Sequence, residues 1–181
     1  MDQSDSPIPV HPRSRVISSK IEREVKLSID ATFRLPALPG IALPRHFVTS
    51  TYHDTSGLDL AQAGITLRHR IEQGKQAWQL KLPLLKDRQE IEIVDRQPDP
   101  PAILQDLLFL YLGQQQLVPV AKLRVWRTGV RVRSNHTPVA DVTLDHVSEL
   151  KDGMVAQHFG ELEIEQVNGT DSTLSDLEHQ L

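Results

Sequence analysis

The sequence predicts a mainly β chain of about eight antiparallel strands with two or three flanking helices. Three observations predict it: side chains alternate over most of the chain, short turn signals separate the alternating runs, and only two stretches carry helical periodicity. The length of 181 residues fits one domain with a real core.

Residues 1–19 mix Ser, Pro, Asp and Arg without periodicity and are expected to form a flexible leader. From Lys20 to Ile29, Ile21, Val25 and Leu27 fall on one face and Glu22, Glu24, Lys26 and Ser28 on the other, which is a strand period. Residues 35–44 carry three prolines and a glycine and read as a covering loop. Strand-like runs follow at about 45–53, 65–72, 76–83 and 87–94, with Gln73-Gly74-Lys75 as a hairpin link. Pro100 and Pro101 lead into Ile103–Leu112, whose Leu-rich composition favours a helix. Two longer strand runs, about 120–133 and 138–147, flank Ser134-Asn135-His136, and a last run covers Glu161–Gln166. Ser172–Leu181 has an amphipathic helical pattern.

The 24 acidic and 20 basic side chains leave a formal charge of −4, which argues against a generic nucleic-acid coat or a polybasic membrane binder. Cysteine is absent, so disulfides, thiolate metal sites and cysteine nucleophiles are excluded together. No apolar run is long enough to span a bilayer and the first residues do not resemble a signal peptide, so a cytoplasmic location is expected.

The polar strand faces are rich in ions of defined sign. Glu22, Glu24 and Lys26 share a face, as do Arg68 and Arg70; Arg88, Glu90 and Glu92; Asp141, Thr143 and Asp145; and Glu161, Glu163 and Glu165. Two closures are open: a sheet with its ions in solvent, or a barrel whose ions point inward and whose apolar faces are covered by helices and loops. Inward Glu161, Glu163 and Glu165 would repel, by about 3 kcal/mol per pair at ~5 Å, unless a cation sat between them. Carboxylate clusters suit Mg²⁺ or Mn²⁺, hard cations that also bind phosphate oxygens. The eight histidines show no metal-ligand spacing and are assigned no role.

Glu22-Arg23-Glu24-Val25-Lys26 resembles the opening strand of the CYTH superfamily, the triphosphate tunnel metalloenzymes. Further blocks follow in the family's order: Tyr52-His53-Asp54-Thr55, Leu67-Arg68-His69-Arg70, Trp78-Gln79-Leu80-Lys81, Arg88-Gln89-Glu90, Leu123-Arg124 through Arg127, Asp145, and Glu161-Leu162-Glu163. The resemblance implies a closed eight-stranded antiparallel β-tunnel over residues 20–181 that hydrolyses inorganic triphosphate with Mg²⁺ or Mn²⁺. It implies Glu22, Glu24 and Lys26 as catalytic residues, and Lys26, Arg68, Arg70, Lys81, Arg124 and Arg127 as the phosphate track. Glu22, Glu24, Asp145, Glu161 and Glu163 would hold metal, with Arg88, Glu90 and Glu165 in support. Arg124 and Arg127 have opposite strand parity; without a bulge, Lys122 and Arg124 would face inward and Arg127 outward.

The Pro-rich linker and Trp78 to Pro83 are most similar to the N-terminal CYTH domain of bacterial CYTH–CHAD proteins. The chain ends without the helix and Ser-Lys-Tyr strand that many members carry, so a missing C-terminal strand and a downstream CHAD domain are expected. Class IV-type adenylyl cyclisation, thiamine triphosphate hydrolysis and non-catalytic polyphosphate binding are the alternative activities. A triphosphate or polyphosphate substrate is expected, with no nucleic acid and no membrane partner. Outward apolar faces suggest a homodimer.

Overall fold

A computed structural model describes residues 17–168 and 171–181. The strands are β1 (Ile17–Glu22), β2 (Glu24–Ile29), β3 (Gly40–Asp54), β4 (Thr66–Glu72), β5 (Lys75–Pro83), β6 (Arg88–Val94), β7 (Val118–Ser134), β8 (Thr137–Lys151) and β9 (Met154–Gln166). Helices α1 (Asp59–Gln62), α2 (Ala102–Leu112) and α3 (Asp171–Gln180) complete it. All nine strands form one antiparallel sheet in the order β1-β6-β5-β4-β3-β7-β8-β9-β2.

The sheet's two edges are consecutive in sequence. β1 pairs with β6 from Ile17↔Ile93 to Glu22↔Arg88, and β2 pairs with β9 from Glu24↔Glu165 to Ile29↔Gly160. Only Arg23 separates them, and its carbonyl accepts the Gln166 N–H at 2.9 Å. The sheet therefore curls until its edges meet at one residue, which is the expected tunnel with its first strand divided, giving nine strands instead of eight. The strand also starts earlier than expected: residues 17–19 of the expected leader pair with β6, and residues 1–16 lie outside the described residues.

Alternation then puts one face of every strand inside the tunnel and the other outside. The outward faces carry the hydrophobic cores. Leu67, Trp78, Leu80 and Ile93 pack beneath Leu60 of α1 and Leu104, Leu108 and Leu112 of α2. Val142, Leu162 and Ile164 pack beneath Leu174 and Leu177 of α3, with Leu35 and Leu38 of the Pro-rich segment against them. Residues 35–39 thus do cover a face, whereas 40–44, read as loop, extend β3. Trp78 is fully buried and donates Nε1–H to the Gln97 carbonyl at 3.1 Å, so it is a packing residue. Its ring lies between His53 and His69, at 4.8 and 5.0 Å between centroids.

Local chemistry fixes the turns. Gln73-Gly74, Asn135-His136 and Asp152-Gly153 all take positive φ, as two-residue hairpin links between twisted strands require. The short helix α1 escaped the sequence reading because a side chain distant from its own residues builds it: Asp54, 4% exposed, accepts the N–H groups of Thr55, Leu60 and Ala61 at 2.7, 2.9 and 3.0 Å. Asp54 thus acts as a turn-forming, hydrogen-bonding residue. No helix among the described residues is long and apolar enough to cross a membrane.

Candidate functional site

The inward faces enclose a cavity of about 390 Å³ lined almost wholly by ions. Six cations, Lys20, Lys26, Arg68, Arg70, Lys81 and Arg127, line it together with the carboxylates of residues 22, 24, 72, 90, 92, 163 and 165. Ser18 and Gln79 complete the wall. Adjacent hollows open toward Arg88 at one end and toward Leu43, His46 and Asp141 at the other.

Each end of the charged wall has its own network. In the first, Lys81, 8% exposed, lies 2.5 Å from Glu22, 3.7 Å from Glu90 and 3.8 Å from Glu24. Lys20 adds a contact to Glu22 at 2.9 Å and bridges to Glu165 at 2.9 Å. Burial works to raise the Glu22 carboxyl, but Lys81 and Lys20 hold it down at about 2. Glu90 moves the other way: burial raises it, and the neighbouring Glu22 charge adds to the rise.

A second network joins β2, β7, β8 and β9. Arg127 forks onto Asp145 at 2.8 and 2.5 Å and reaches Glu163 at 2.5 Å, while Lys26 binds Glu163 at 2.6 Å and stands 3.9 Å from Glu161. Burial works to raise the Glu163 carboxyl, and Arg127 and Lys26 overcome it, holding the group at about 2. Glu161 sits above its ordinary value: burial raises it, Lys26 works against the rise, and the neighbouring Glu163 and Asp145 charges add to it. Asp145, Glu161 and Glu163 can bring one oxygen each within 4.8 Å of one another. A hard all-oxygen donor set with one carboxyl that resists ionising fits a divalent cation.

Between the networks stand Arg68 and Arg70. Gln79 accepts the Arg68 Nε–H at 2.8 Å, and Glu72 accepts that of Arg70 at 2.9 Å. Burial and the neighbouring Arg68 lower the Arg70 guanidinium's proton affinity. Two guanidiniums on the same inward face of β4 form a natural grip for an anion with several oxygens.

The five expected metal ligands fall into two sets, Asp145, Glu161 and Glu163 in one and Glu22 and Glu24 in the other. Lys26 contacts the first set and Lys81 the second. Glu165 lines the cavity, Glu90 is buried beside Lys81, and Arg88 is exposed at a mouth. Of the two β7 arginines expected on the phosphate track only Arg127 faces inward, and the register between residues 124 and 127 is regular. Arg127 faces inward with Leu123 and Val125, while Arg124 and Lys122 are exposed on the other face. The expectation failed because it took ions as inward markers, and here the inner wall is locally apolar. Sequence reading also missed Lys20, Glu72, Gln79 and His46. Gln79 could have been found by alternation, since it shares the Ala77 and Lys81 face of β5.

The CYTH domain family model matches residues 20–181. A solved structure described as an adenylate cyclase candidate from Bacillus halodurans superposes with a TM-score of 0.64 at 16% identity, covering 90% of this chain and 88% of its own. An adenylate cyclase candidate from Vibrio parahaemolyticus gives 0.52 at 17% identity, over 88% and 84%. The PH1819 protein from Pyrococcus horikoshii OT3 gives 0.51 at 18%, over 88% and 85%. At these identities the likeness is one of fold. A comparison with curated protein sequences finds no match.

Proposed function

The chain belongs to the CYTH family, and from that premise we propose that its tunnel hydrolyses inorganic triphosphate to pyrophosphate and phosphate with the help of a divalent metal. The observation that carries the reading is the lining of the 390 Å³ cavity, where six cations and a set of carboxylates face one another. A simple polyanion trap would need only the cations. Among the described residues lining this cavity none is aromatic, and Tyr52, in the narrow adjoining hollow, accepts a hydrogen bond from Arg68 through its hydroxyl, which favours an inorganic substrate over ATP.

Arg68, Arg70, Arg127, Lys26 and Lys81 would bind the phosphate oxygens, with Gln79 and Glu72 fixing the forks of Arg68 and Arg70. Asp145, Glu161 and Glu163, with Glu22 and Glu24, would hold Mg²⁺ or Mn²⁺. A bound divalent ion would supply charge neutralisation and an activated water for in-line attack. Burial of Glu22, Glu90 and Lys81 keeps bulk water from one wall, and Glu22 holds the Lys81 ammonium in place there. No side-chain nucleophile is required: the oxygen of water bonds to the terminal phosphorus as the anhydride P–O bond breaks and pyrophosphate leaves.

Phosphate release from inorganic triphosphate, ATP and thiamine triphosphate across a Mg²⁺ and Mn²⁺ titration tests the proposal. Inorganic triphosphate should be turned over fastest, and Glu24→Ala should abolish release while leaving the fold intact. Equal turnover of ATP with a cyclic product would sink the hydrolase reading. Tight polyphosphate binding with no turnover at any metal concentration would select a non-catalytic module.

A further inference from the structure

Helix α2 is apolar on both sides. Leu104, Leu108 and Leu112, spaced by four, are buried on the outer face of the sheet against Leu67, Trp78, Leu80 and Ile93. The other eight positions of Ala102–Leu112 are exposed, and five of them hold large apolar side chains. Leu110 is 91% exposed and Phe109 65%, while Ile103, Leu107 and Tyr111 are each exposed by close to half. Asp106 is the one charged residue on the helix. A helix that is apolar all round belongs inside a structure, whereas one on a finished surface carries a polar outer stripe.

Ile103, Leu107 and Leu110 recur at i, i+4 and i+7, so they form one stripe along the helix, with Tyr111 at its edge. Asp106 and Phe109 stand at the rim, where water screens the carboxylate. The stripe is self-complementary. A two-fold axis at Leu107 lays two antiparallel helices together with Ile103 of each copy against Leu110 of the other. The five exposed side chains amount to about three fully exposed ones, roughly 500 Å² per copy. Two copies would bury about 1,000 Å², where specific interfaces begin.

We propose that α2 is the core of a homodimer interface, in which a second copy of this chain covers Ile103, Leu107 and Leu110. A second copy fits better than an unrelated partner because the stripe repeats itself about Leu107 and one face supplies the area a specific pair needs. The contact is at the small end of such interfaces, so the pair is reversible and its population rises with concentration. None of these residues lines the tunnel cavity or its adjoining hollows, so the pair forms without closing the proposed site. Dimerisation of this kind does not depend on the proposed hydrolysis.

Sedimentation velocity of the 181-residue chain over about 1–100 µM tests the pairing. Wild type should pass from monomer to dimer across this range, and its melting temperature should rise with concentration. Leu110→Lys changes a side chain that the fold leaves in solvent; it should raise the dissociation constant by about 30-fold or more and keep the wild-type circular dichroism. Met154→Lys, on the exposed β8–β9 hairpin, should dimerise as wild type does. The chain has no cysteine, so Leu107→Cys provides a single reporter. Facing Cα atoms of two helices packed ~9 Å apart lie about 4–5 Å from each other, within disulfide reach. Mild oxidation should therefore give a covalent dimer of Leu107→Cys and not of Met154→Cys. A wild type that stays monomeric at about 100 µM, a dimer unaffected by Leu110→Lys, or equal cross-linking of the two cysteine variants would each overturn the proposal.

Discussion

Replacing Arg127 with Met would remove the guanidinium that joins Asp145 to Glu163 while keeping much of its stem. Asp145 is 2% exposed and the Glu163 side chain 14%, so water cannot take the place of the lost partner. The Glu163 carboxyl falls from an ordinary 4.5 to about 2, which corresponds to about 3 kcal/mol favouring its ionised form. Breaking a buried pair by removing one partner costs about 3–5 kcal/mol. Lys26 still holds Glu163 at 2.6 Å, so the lower end, about 3 kcal/mol, is expected for Arg127→Met at pH 7.5. In a chain of this size that amounts to about 6–12 °C in melting temperature.

The sign of the pH dependence follows from the direction of the shift. A depressed carboxyl stabilises the fold above its unfolded value of 4.5 and loses that contribution as pH falls toward about 2. Wild type should therefore lose stability across this window, while the variant, whose Glu163 keeps Lys26 alone as partner and takes up a proton more readily, loses less. The two melting curves should converge on acidification, and Mn²⁺ should stabilise the variant more than wild type at pH 7.5. Equal melting temperatures at pH 7.5 would refute the reasoning. So would a gap that persists unchanged at pH 4, because lost packing and not lost charge would then explain it.

Asp54→Ala strips three backbone N–H groups of their acceptor and should destabilise by about 2 kcal/mol in chemical denaturation, with α1 affected first. Trp78→Ala empties the centre of the outer core beneath α2 and should cost about 3–5 kcal/mol by the same measurement. Arg124→Ala, altering an exposed side chain on the outer face, should leave tripolyphosphate affinity within about twofold of wild type, whereas Arg127→Met should weaken it by tenfold or more in calorimetry.

Much of the tunnel was legible because its physics inverts an ordinary sheet: ions inside and apolar residues outside leave the same period of two. The alternation of Glu22, Glu24 and Lys26 and of Glu161, Glu163 and Glu165 already placed cations and carboxylates on matching faces. What alternation alone could not supply was phase. Leu123 and Val125 line the inner wall, so charge was a poor guide to direction on β7, and of the two arginines expected on the phosphate track Arg124 faces outward. His46 was missed for a related reason: it shares a face with Val48 and Ser50, and the apolar Val48 gave no sign that this face looks inward. The division of the first strand at Arg23 depends on which partners each half finds, and those partners lie far along the chain.

That division sets an order of events during synthesis. β1 finds β6 within the first 94 residues, but β2 has no partner until β9, Met154–Gln166, has left the ribosome. Lys26 and Glu163, a contact at the centre of the site, are 137 positions apart in sequence. Such distant pairings are slow to form because the intervening loop must close before the contact repays it. The nascent chain therefore carries two open sheet edges for most of its synthesis, and seam closure between β2 and β9 is the step at which a folding helper or a competing strand would act.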